Sequence, residues 1–597
     1  MWFKQMFARK SLETLLAEVA GEHQLRRVLG PVALTAIGVG AIIGAGIFAM
    51  TGRVAAEDAG PSIVLSFVVA GIACGFAALC YAEFAAMAPV AGSAYTYTYA
   101  TLGEVWAWMI GWDLILEYAM SCAVVAAHWA HYLDEFLMST LGVRIPPQLL
   151  EDPFSKVLVN GELVHAWFNL PAIAIMAIVT GVLILGIRES TTANAILVFV
   201  KVAVVLFVIA LGIVYVNKDN WTQVPVTDRP ATDVKDYLAR HPDVAERVPP
   251  GAVSEIVSGE ELLKQHPDFA RSLTPAQHIE VAKLVSEGNK WGLLALLGIK
   301  HWLQPLDDSM RSGFLPFGLS GLMVGAALVF FAYIGFDAIS THAEEARRPQ
   351  RDVPLGILLS LAVCTLLYIL VSGVITGMEP YPGIDTKAAV AAAFRKRAEV
   401  EHSGLLSSAA GIIALGALAG MTSVLLVTFQ SQARVFLAIS RDGLLPSSIF
   451  AAIHPRFRTP HRSTLLTGGI ICLVAALTPI KNLEQMVNIG TLMAFALVCA
   501  SVLILRFTRP DAERPFHCPW IYVVAPLGIA INLLLMLFLP LETWVRLAVW
   551  LALGLVIYFS YGRRHSVLGH ELQRQLQTEG CGPSNAPIVP GDTHGND

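Results

Sequence analysis

The stretch AIGVGAIIGAGIFAM at residues 36–50 decides the fold. It is apolar enough for the interior of a bilayer, yet it is crowded with glycine, which costs roughly 1 kcal/mol per residue inside a helix. The glycines in and just beyond it are Gly38, Gly40, Gly44, Gly46 and Gly52. Such glycines mark either a seam of close helix packing, which the Gly40–Gly44 spacing fits, or a deliberate interruption of a membrane helix. This segment alone leaves both interpretations open.

A second interrupted stretch occurs halfway along the chain. Residues 329–340 read VFFAYIGFDAIS, where Gly335 and Asp337 break an apolar run. A glycine-broken helix at the start of both halves favours an inverted-repeat transporter with its site at the breaks. The restarting half of a broken helix offers N–H groups to a carboxylate, and the ending half offers carbonyls to an ammonium. The pattern therefore favours a zwitterionic substrate.

The composition is that of a membrane protein. Of 597 residues, 55% are hydrophobic and 15% charged, against roughly 25% charged in soluble proteins. Apolar runs of about 20 residues, long enough for a hydrocarbon core of about 30 Å, recur along the chain and must be helices in lipid. The third and eighth of these are long enough to tilt or project. The predicted spans are 31–51, 62–86, 102–138, 167–187, 192–216, 316–342, 354–378, 405–440, 462–480, 486–507, 520–540 and 542–562.

Basic residues near the span ends predict the topology, because short cytoplasmic loops are rich in Lys and Arg. With an even number of spans, both termini lie on one side, predicted to be the cytoplasmic side of the cell inner (plasma) membrane. The basic residues assigned to this side are Lys4, Arg9, Lys10, Arg26, Arg27, Arg347, Arg348, Arg351, Arg456, Arg458, Arg462, Arg506, Arg509, Arg514, Arg563 and Arg564.

The predicted organisation has six parts. They are an N-terminal segment (1–30), a first repeat of five spans (31–216), an extracellular helical insertion (217–315), a second repeat (316–508), two further spans (509–562) and a disordered cytoplasmic tail (563–597).

Several function classes are disfavoured by the sequence. The net charge of −5 does not suggest a nucleic-acid partner. The sequence contains no G-x-x-x-x-G-K-S/T motif, so ATP-driven pumping is not indicated. The eight cysteines are scattered without C-x-x-C spacing, so neither a metal ribbon nor a disulfide framework is predicted. We predict no cofactor, no metal and no enzymatic activity, because the spans contain no nucleophile-and-base arrangement. A sensor that binds amino acids without moving them stays an alternative.

Long motifs in a fixed order resemble the amino acid–polyamine–organocation superfamily, and within it bacterial members of the cationic amino acid transporter family. They lie at residues 38–48, 81–104, 111–119, 186–201, 330–357, 416–446 and 487–498. The resemblance runs from about residue 25 to 562 and omits only the insertion and the tails. It implies an all-α, leucine-transporter-type fold with a five-plus-five inverted repeat and two extra helices. The implied activity is secondary active amino acid transport by alternating access, with exchange without proton coupling as the alternative.

The resemblance also implies a binding site. Ile43, Gly44, Ala45 and Gly46 would hold the substrate carboxylate; Phe330, Phe331, Ala332 and Ile334 would hold the amino group and cap the pocket; Met421 and Thr422 would face the side chain. Ala45 departs from the Thr or Ser of many relatives, which removes one hydroxyl contact. Resemblance to the cationic amino acid transporter family suggests cationic substrates, whereas bacterial members of the family often take neutral ones. The sequence leaves this choice open. A small membrane partner or a sterol is a further possible partner beside the bilayer.

Two buried charges are candidates for proton coupling. Lys201 lies in the middle of an apolar span, where a charge costs at least roughly 2.5–3.5 kcal/mol. A lysine that snorkels to the interface is the alternative. In the resemblance, a lysine here takes the place of the ion of sodium-coupled relatives, so we expect Lys201 to release and rebind a proton. Glu117, one turn after Asp113, is the candidate buried carboxylate, and Asp113 is equally consistent with a structural role.

Other polar residues have structural interpretations. We expect Glu83 and Asp337 to hold helices and the inner gate together, and Glu344, Glu345 and Arg347 to close the inner end of span 6. His128 and His131 are three residues apart, a spacing that could ligate a metal. The neighbouring Trp129 and Tyr132 instead favour an interfacial belt.

Overall fold

The computed structural model describes residues 5–11, 29–90, 92–159, 161–186, 191–225, 229, 231, 233–253, 257–284, 289–457 and 459–580. The predictions made for Lys4, Arg26, Arg27, Arg458 and the tail beyond 580 lie outside these residues. Eight of the described helices are long and apolar enough to cross a membrane, and four shorter apolar helices complete the predicted set of twelve.

The predicted all-α membrane fold is confirmed, and apart from the end of span 1 the span ends lie within six residues of the expected ones. Ten spans are continuous: Ile63–Met87, Glu104–Leu141, Leu170–Leu185, Thr191–Gly212, Pro349–Met378, Gly404–Arg441, His461–Leu477, Ile480–Thr508, Ile521–Leu537 and Leu541–Ile557, which are spans 2–5 and 7–12. Spans 1 and 6 are interrupted. Span 1 comprises Pro31–Ile42, Gly46–Met50, Thr51–Val54 and Ala55–Ala59; span 6 comprises Gly318–Val329, Phe330–Tyr333 and Ala338–Thr341.

Span 1 ends later than predicted, at Ala59 rather than residue 51. The helix continues through the charged residues at 53, 57 and 58 and contains two wide, π-type turns, Gly46–Met50 and Ala55–Ala59. It ends at Gly60, whose φ of +64° suits glycine, and Pro61 opens the next helix.

The two longest helices form the centre of the bundle. Spans 3 and 8 pack along each other, and span 7 packs against spans 1 and 2. The most apolar window of span 3 is 94% buried, whereas that of the segment Leu541–His565, which contains span 12, is only 22% buried. Span 3 is therefore interior, and span 12 presents its apolar surface to lipid.

Both described ends of the chain meet on one side, here called the terminal face (residues 5–11 and 563–580). Gln5 Nε2 donates to the Arg563 carbonyl at 2.9 Å, and Lys10 pairs with Asp442 at 2.8 Å. The opposite side, the insertion face, carries the described residues between 217 and 315. There the structure also shows a feature that the sequence did not suggest, an antiparallel hairpin of Lys156–Val159 and Glu162–His165.

The insertion is a chain of short helices. They are Asp219–Thr222, Val234–Arg240, Pro242–Ala245, Gly259–Gln265, Pro267–Ser272, Pro275–Lys283, Leu293–Leu296 and Lys300–Met310. Capping boxes at Ser258 and Thr274 fix two helix starts. Side chains such as Tyr237, Leu262 and Phe269 form a hydrophobic core separate from that of the bundle. The insertion is thus a folded unit on the insertion face.

Candidate functional site

The interruption of span 1 lies at its glycine-rich centre. The first helical segment ends at Ile42, Ile43 is extended with ψ of 102°, and the second segment starts at Gly46. The first N–H groups of a helical segment have no partner within it. Residues Gly44 to Gly46 therefore present backbone donors at the middle of the bundle, as an anion-binding helix start requires.

The interruption of span 6 follows the short helix Phe330–Tyr333. Ile334 is extended with ψ of 133°, and Gly335 has φ of +120°, a backbone conformation that favours glycine. A Cβ atom on Gly335 would also lie 2.9 Å from the Ala41 carbonyl carbon, too close for a normal contact. Span 6 is therefore broken against span 1 itself, and the end of its first segment offers backbone carbonyls.

The two breaks touch each other. A Cβ atom on Gly46 would overlap the backbone of Ala332. Tyr368 of span 7 joins both: its hydroxyl oxygen lies 2.9 Å from the Ile42 carbonyl and 2.8 Å from the Ala332 carbonyl. A hydroxyl has one proton, so the two carbonyls share it. Tyr368 was not predicted, since it lies inside an ordinary apolar run.

Lys201 of span 5 reaches the span 1 break. Its side chain is fully buried, and Nζ donates to the Gly40 carbonyl at 2.5 Å and to the Ile43 carbonyl at 3.3 Å. This position excludes the snorkelling alternative. The ammonium hydrogen-bonds carbonyls on both sides of Ile42, where the helix ends, so its charge and the break geometry depend on each other.

Span 8 meets the break through residues that the sequence did not single out. A Cβ atom on Gly44 would lie 2.8 Å from Val424 Cγ2, and one on Gly420 would contact Phe48 and Lys201. Met421 is buried beside this face. Thr422 lies on the other side of the helix, where its hydroxyl accepts a hydrogen bond from Trp129 Nε1 at 3.1 Å. The structure therefore separates Thr422 from the residues at the break.

Three buried carboxyl groups lie on or beside span 3: Asp113, which faces Gly490 of span 10, Glu117, and Asp337 after the span 6 break. Asp113 and Glu117 are at most 1% exposed, and neither has a hydrogen-bond partner within the described ranges. Asp337 accepts hydrogen bonds from the Tyr118 hydroxyl at 2.7 Å and from the Gly335 N–H at 3.2 Å. Glu117 and Asp337 are close enough to repel each other. Asp337 thus ties the span 6 break to span 3, whereas Glu117 and Asp113 hold unused polar atoms in the core.

Backbone and side-chain bonds close the terminal face below the breaks. The Leu29 N–H donates to the Glu345 carbonyl at 3.0 Å, and the Arg347 N–H donates to the Leu29 carbonyl at 2.8 Å. Arg434 of span 8 donates to the Glu345 carboxylate at 3.0 Å. The ends of spans 1, 6 and 8 are therefore joined here. The side chain of Glu344 lies outside the described residues.

Glu83 anchors span 2 at the same face. Its carboxylate accepts from Arg506 at 2.7 Å and from the Cys518 N–H at 2.7 Å, with Arg514 at 3.4 Å. It connects span 2 to span 10 and to the following loop, and it does not approach the breaks.

An ion-pair cluster closes the insertion face above the breaks. Glu484 of span 10 is fully buried and pairs with Arg53 of span 1 at 2.5 Å and with His128 of span 3 at 2.9 Å. His131 lies 3.9 Å from a different acid, Glu151. The two histidines therefore serve separate contacts. Arg53 is the only charged residue between positions 31 and 56, which is a signal that the sequence analysis could have used, but nothing in the sequence indicates Glu484 as its partner.

We expect Glu484→Gln to destabilise the protein by about 3–5 kcal/mol, because it leaves the Arg53 charge buried without its partner. Thermal unfolding in detergent measures the effect. Glu399→Gln is the matched control, since Glu399 also pairs with an arginine but its side chain is 62% exposed; it should change stability by at most about 0.5 kcal/mol. Equal melting temperatures for the two variants would show that the buried pair contributes nothing.

Known proteins resemble this chain along most of its length. The family model described as amino acid permease matches residues 29–249 and 291–558. A branched-chain amino acid permease of Bacillus subtilis is 40% identical, covering 94% of this chain and 99% of the relative. A methylthioribose transporter of the same organism is 36% identical, with 94% and 99% covered. A vacuolar cationic amino acid transporter of Arabidopsis thaliana is 35% identical, covering 86% of this chain and 65% of that protein.

Proposed function

This chain belongs to the amino acid permease family and is a multi-pass amino acid transporter, and we propose that it couples alternating access around the span 1 and span 6 breaks to protons. The observation that carries the proposal is the direct contact of the two breaks, with Tyr368 shared between them and Lys201 bound to the carbonyls of span 1. We place the terminal face in the cytoplasm, because Arg347, Arg506 and Arg563 flank spans on that face.

We propose that the breaks bind the backbone of the amino acid. The N–H groups at Gly44, Ala45 and Gly46 would receive the carboxylate, since they begin a helical segment. The backbone carbonyls of Phe330, Phe331 and Ala332 would receive the ammonium, since these residues lie at the end of a helical segment. With alanine at 45, recognition of the carboxylate falls to backbone donors, so any α-amino acid can satisfy this part of the site.

We propose a neutral, apolar amino acid as the substrate. The span 8 surface against the span 1 break includes Gly420 and Val424, with Met421 buried beside it. These side chains offer dispersion contacts and no charge, which suits an aliphatic substrate and disfavours a cation. The relative that is 40% identical, a branched-chain amino acid permease, agrees with this class.

We propose Lys201 as the group that carries the coupling proton. When charged, its ammonium satisfies the Gly40 and Ile43 carbonyls; when neutral, it binds them more weakly and the break can rearrange. Glu117 is the second proton-coupling candidate, since neither of its oxygens meets a donor in the described part of the chain. A buried carboxylate of this kind can accept a proton without losing an ion pair.

The two closures supply the gates that alternating access needs. On the insertion face, Arg53, Glu484 and His128 join spans 1, 3 and 10. On the terminal face, Leu29, Glu345 and Arg434 join spans 1, 6 and 8. Span 1 belongs to both sets, so we propose that movement of its two segments opens one closure while the other stays formed.

Uptake by the purified protein in liposomes tests the function. We expect radiolabelled leucine to accumulate under an inward proton gradient and to be displaced at least tenfold more effectively by isoleucine or valine than by arginine or methylthioribose. Collapsing the proton gradient should abolish accumulation, and replacing sodium with potassium should leave it unchanged. Leucine binding without counterflow would instead indicate a sensor, and counterflow without gradient-driven accumulation would indicate an exchanger.

A further inference from the structure

A charged cavity of about 580 Å³ lies on the insertion face, apart from the transport site. One wall is the insertion helix Val234–Arg240 and another is Lys300–Met310. The third wall belongs to the bundle, where Phe317 precedes span 6 and Tyr381 follows span 7. The transport mechanism proposed above uses none of these residues.

The walls of the cavity are built on folded elements. The first wall belongs to a duplicated unit: Arg240-His241-Pro242-Asp243 recurs as Gln265-His266-Pro267-Asp268, and His241 and His266 have φ and ψ within 1° of each other. The second wall is fixed to span 6, because the Ser320 N–H donates to Asp307 at 2.6 Å. Tyr381 packs edge-on against Phe317, with ring centroids 5.9 Å apart. The cavity is therefore a formed site.

The lining carries more positive than negative charge. Its basic side chains are Arg229, Lys235, Arg240, Lys290, Lys300 and Arg311, and its acidic ones are Asp233, Asp236, Asp307 and Asp308. Arg240 pairs with Asp236 at 2.8 Å and Lys290 with Asp233 at 2.5 Å. Burial lowers the pKa of Lys290 despite that partner. Six basic and four acidic side chains give the lining a net positive formal charge, which favours an anion in the cavity.

Tyr381 supplies a hydrogen-bonding group with nothing to bind. It is 1% exposed, and its hydroxyl has no partner in the part of the chain that the structure describes. Burial raises the pKa of Tyr381 to about 12, although Arg229 and Arg240 act to lower it. The hydroxyl is therefore protonated at neutral pH and is a buried donor beside two guanidinium groups. Leaving such a donor unpaired is unfavourable, and an oxyanion in the cavity would satisfy it.

We propose that this cavity binds a small organic anion, whose carboxylate or phosphate group is held by the Tyr381 hydroxyl and Arg229 while its apolar part packs on Phe317. The volume is within the range typical of small-molecule sites. The same anionic chemistry can come from a free solute or from a lipid headgroup at the membrane surface. The turn Tyr381–Gly383 also packs against Ala55–Ala59, the outer end of span 1. A ligand bound to Tyr381 would therefore contact a segment that packs directly on span 1, the helix proposed to move.

Thermal unfolding of the full chain in phosphatidylcholine nanodiscs at pH 7.5 tests the proposal. Benzoate and phenyl phosphate are the probes, and uncharged benzyl alcohol is the matched control. We expect saturable stabilisation by the two anions only. Arg229→Gln should weaken their apparent affinity about tenfold, as loss of a charge-assisted hydrogen bond does, and Tyr381→Phe about fivefold. Lys264→Gln, on the exposed surface of the insertion helix Gly259–Gln265, should leave the apparent affinity for the anions unchanged.

The remaining outcomes each decide the proposal. Absence of saturable stabilisation in nanodiscs of either phosphatidylcholine or phosphatidylglycerol would overturn it, as would equal effects in both pocket variants and the parent. Stabilisation by phosphatidylglycerol that both variants abolish would confirm the site and assign the anion to lipid. Stabilisation by leucine is measured in the same samples. It shows whether each variant is folded and has an intact transport site, independently of anion binding in the cavity. Tyr381→Phe removes a single oxygen, so it serves if Arg229→Gln does not fold.

Discussion

Replacing Lys201 by Gln should reduce leucine accumulation driven by a proton gradient at least tenfold while leaving counterflow measurable. The amide still offers N–H groups towards the Gly40 and Ile43 carbonyls that the lysine holds, but it has no proton to release near neutral pH. The span 1 break can therefore form and the protein can exchange substrate, but no group at position 201 can take up and release the proton that the gradient supplies. Uptake into liposomes with imposed pH gradients, compared with exchange at equal pH, measures both quantities.

Lys201→Arg is the matched opposite, since arginine is always charged in proteins. We expect it to lose pH dependence as well, because permanent charge is as ineffective for coupling as permanent neutrality. Lys264→Ala controls for the loss of a lysine elsewhere, on an exposed helix of the insertion. If the Gln or the Arg protein kept the proton dependence of the parent, Lys201 would be a structural residue, and Glu117 would become the leading candidate for the proton.

Gly46→Ala should lower leucine binding and uptake at least tenfold. The added methyl group would overlap the Ala332 backbone, so spans 1 and 6 would have to separate at the point where both present groups to the substrate. Forced overpacking of this kind costs about 1–3 kcal/mol when the neighbour is rigid. Leucine-dependent thermal stabilisation measures binding, and liposome uptake measures transport.

Gly75→Ala provides the control for this prediction. Gly75 lies within span 2, and a Cβ atom there has nothing within 4 Å beyond its chain neighbours and its own helix backbone, so the same substitution meets open space. We expect it to leave binding unchanged and to stabilise the helix by up to about 1 kcal/mol. Equal leucine affinity in the two alanine variants would contradict the close contact of the breaks.

The sequence by itself determined the membrane fold, the span positions and the two interruptions. Each of these depends on local properties: a helix in lipid must be about 20 apolar residues long, and glycine weakens the helix at the residues where it stands. Lys201 was identified for the same reason, since a charge inside an apolar run is visible without knowing its partners. The motifs of the family then led to the proposal that these two interruptions bind the substrate.

Only the tertiary structure decided which side chains complete the site. Tyr368 meets Ile42 across 326 positions of sequence, and Glu484 meets His128 across 356. An apolar pattern does not specify such pairs, because many arrangements of twelve helices bury the same surface. The rotation of span 8 is a packing property too: it puts Val424 against the span 1 break and turns Thr422 towards Trp129. Local chemistry therefore located the breaks, and long-range packing chose the groups that face them.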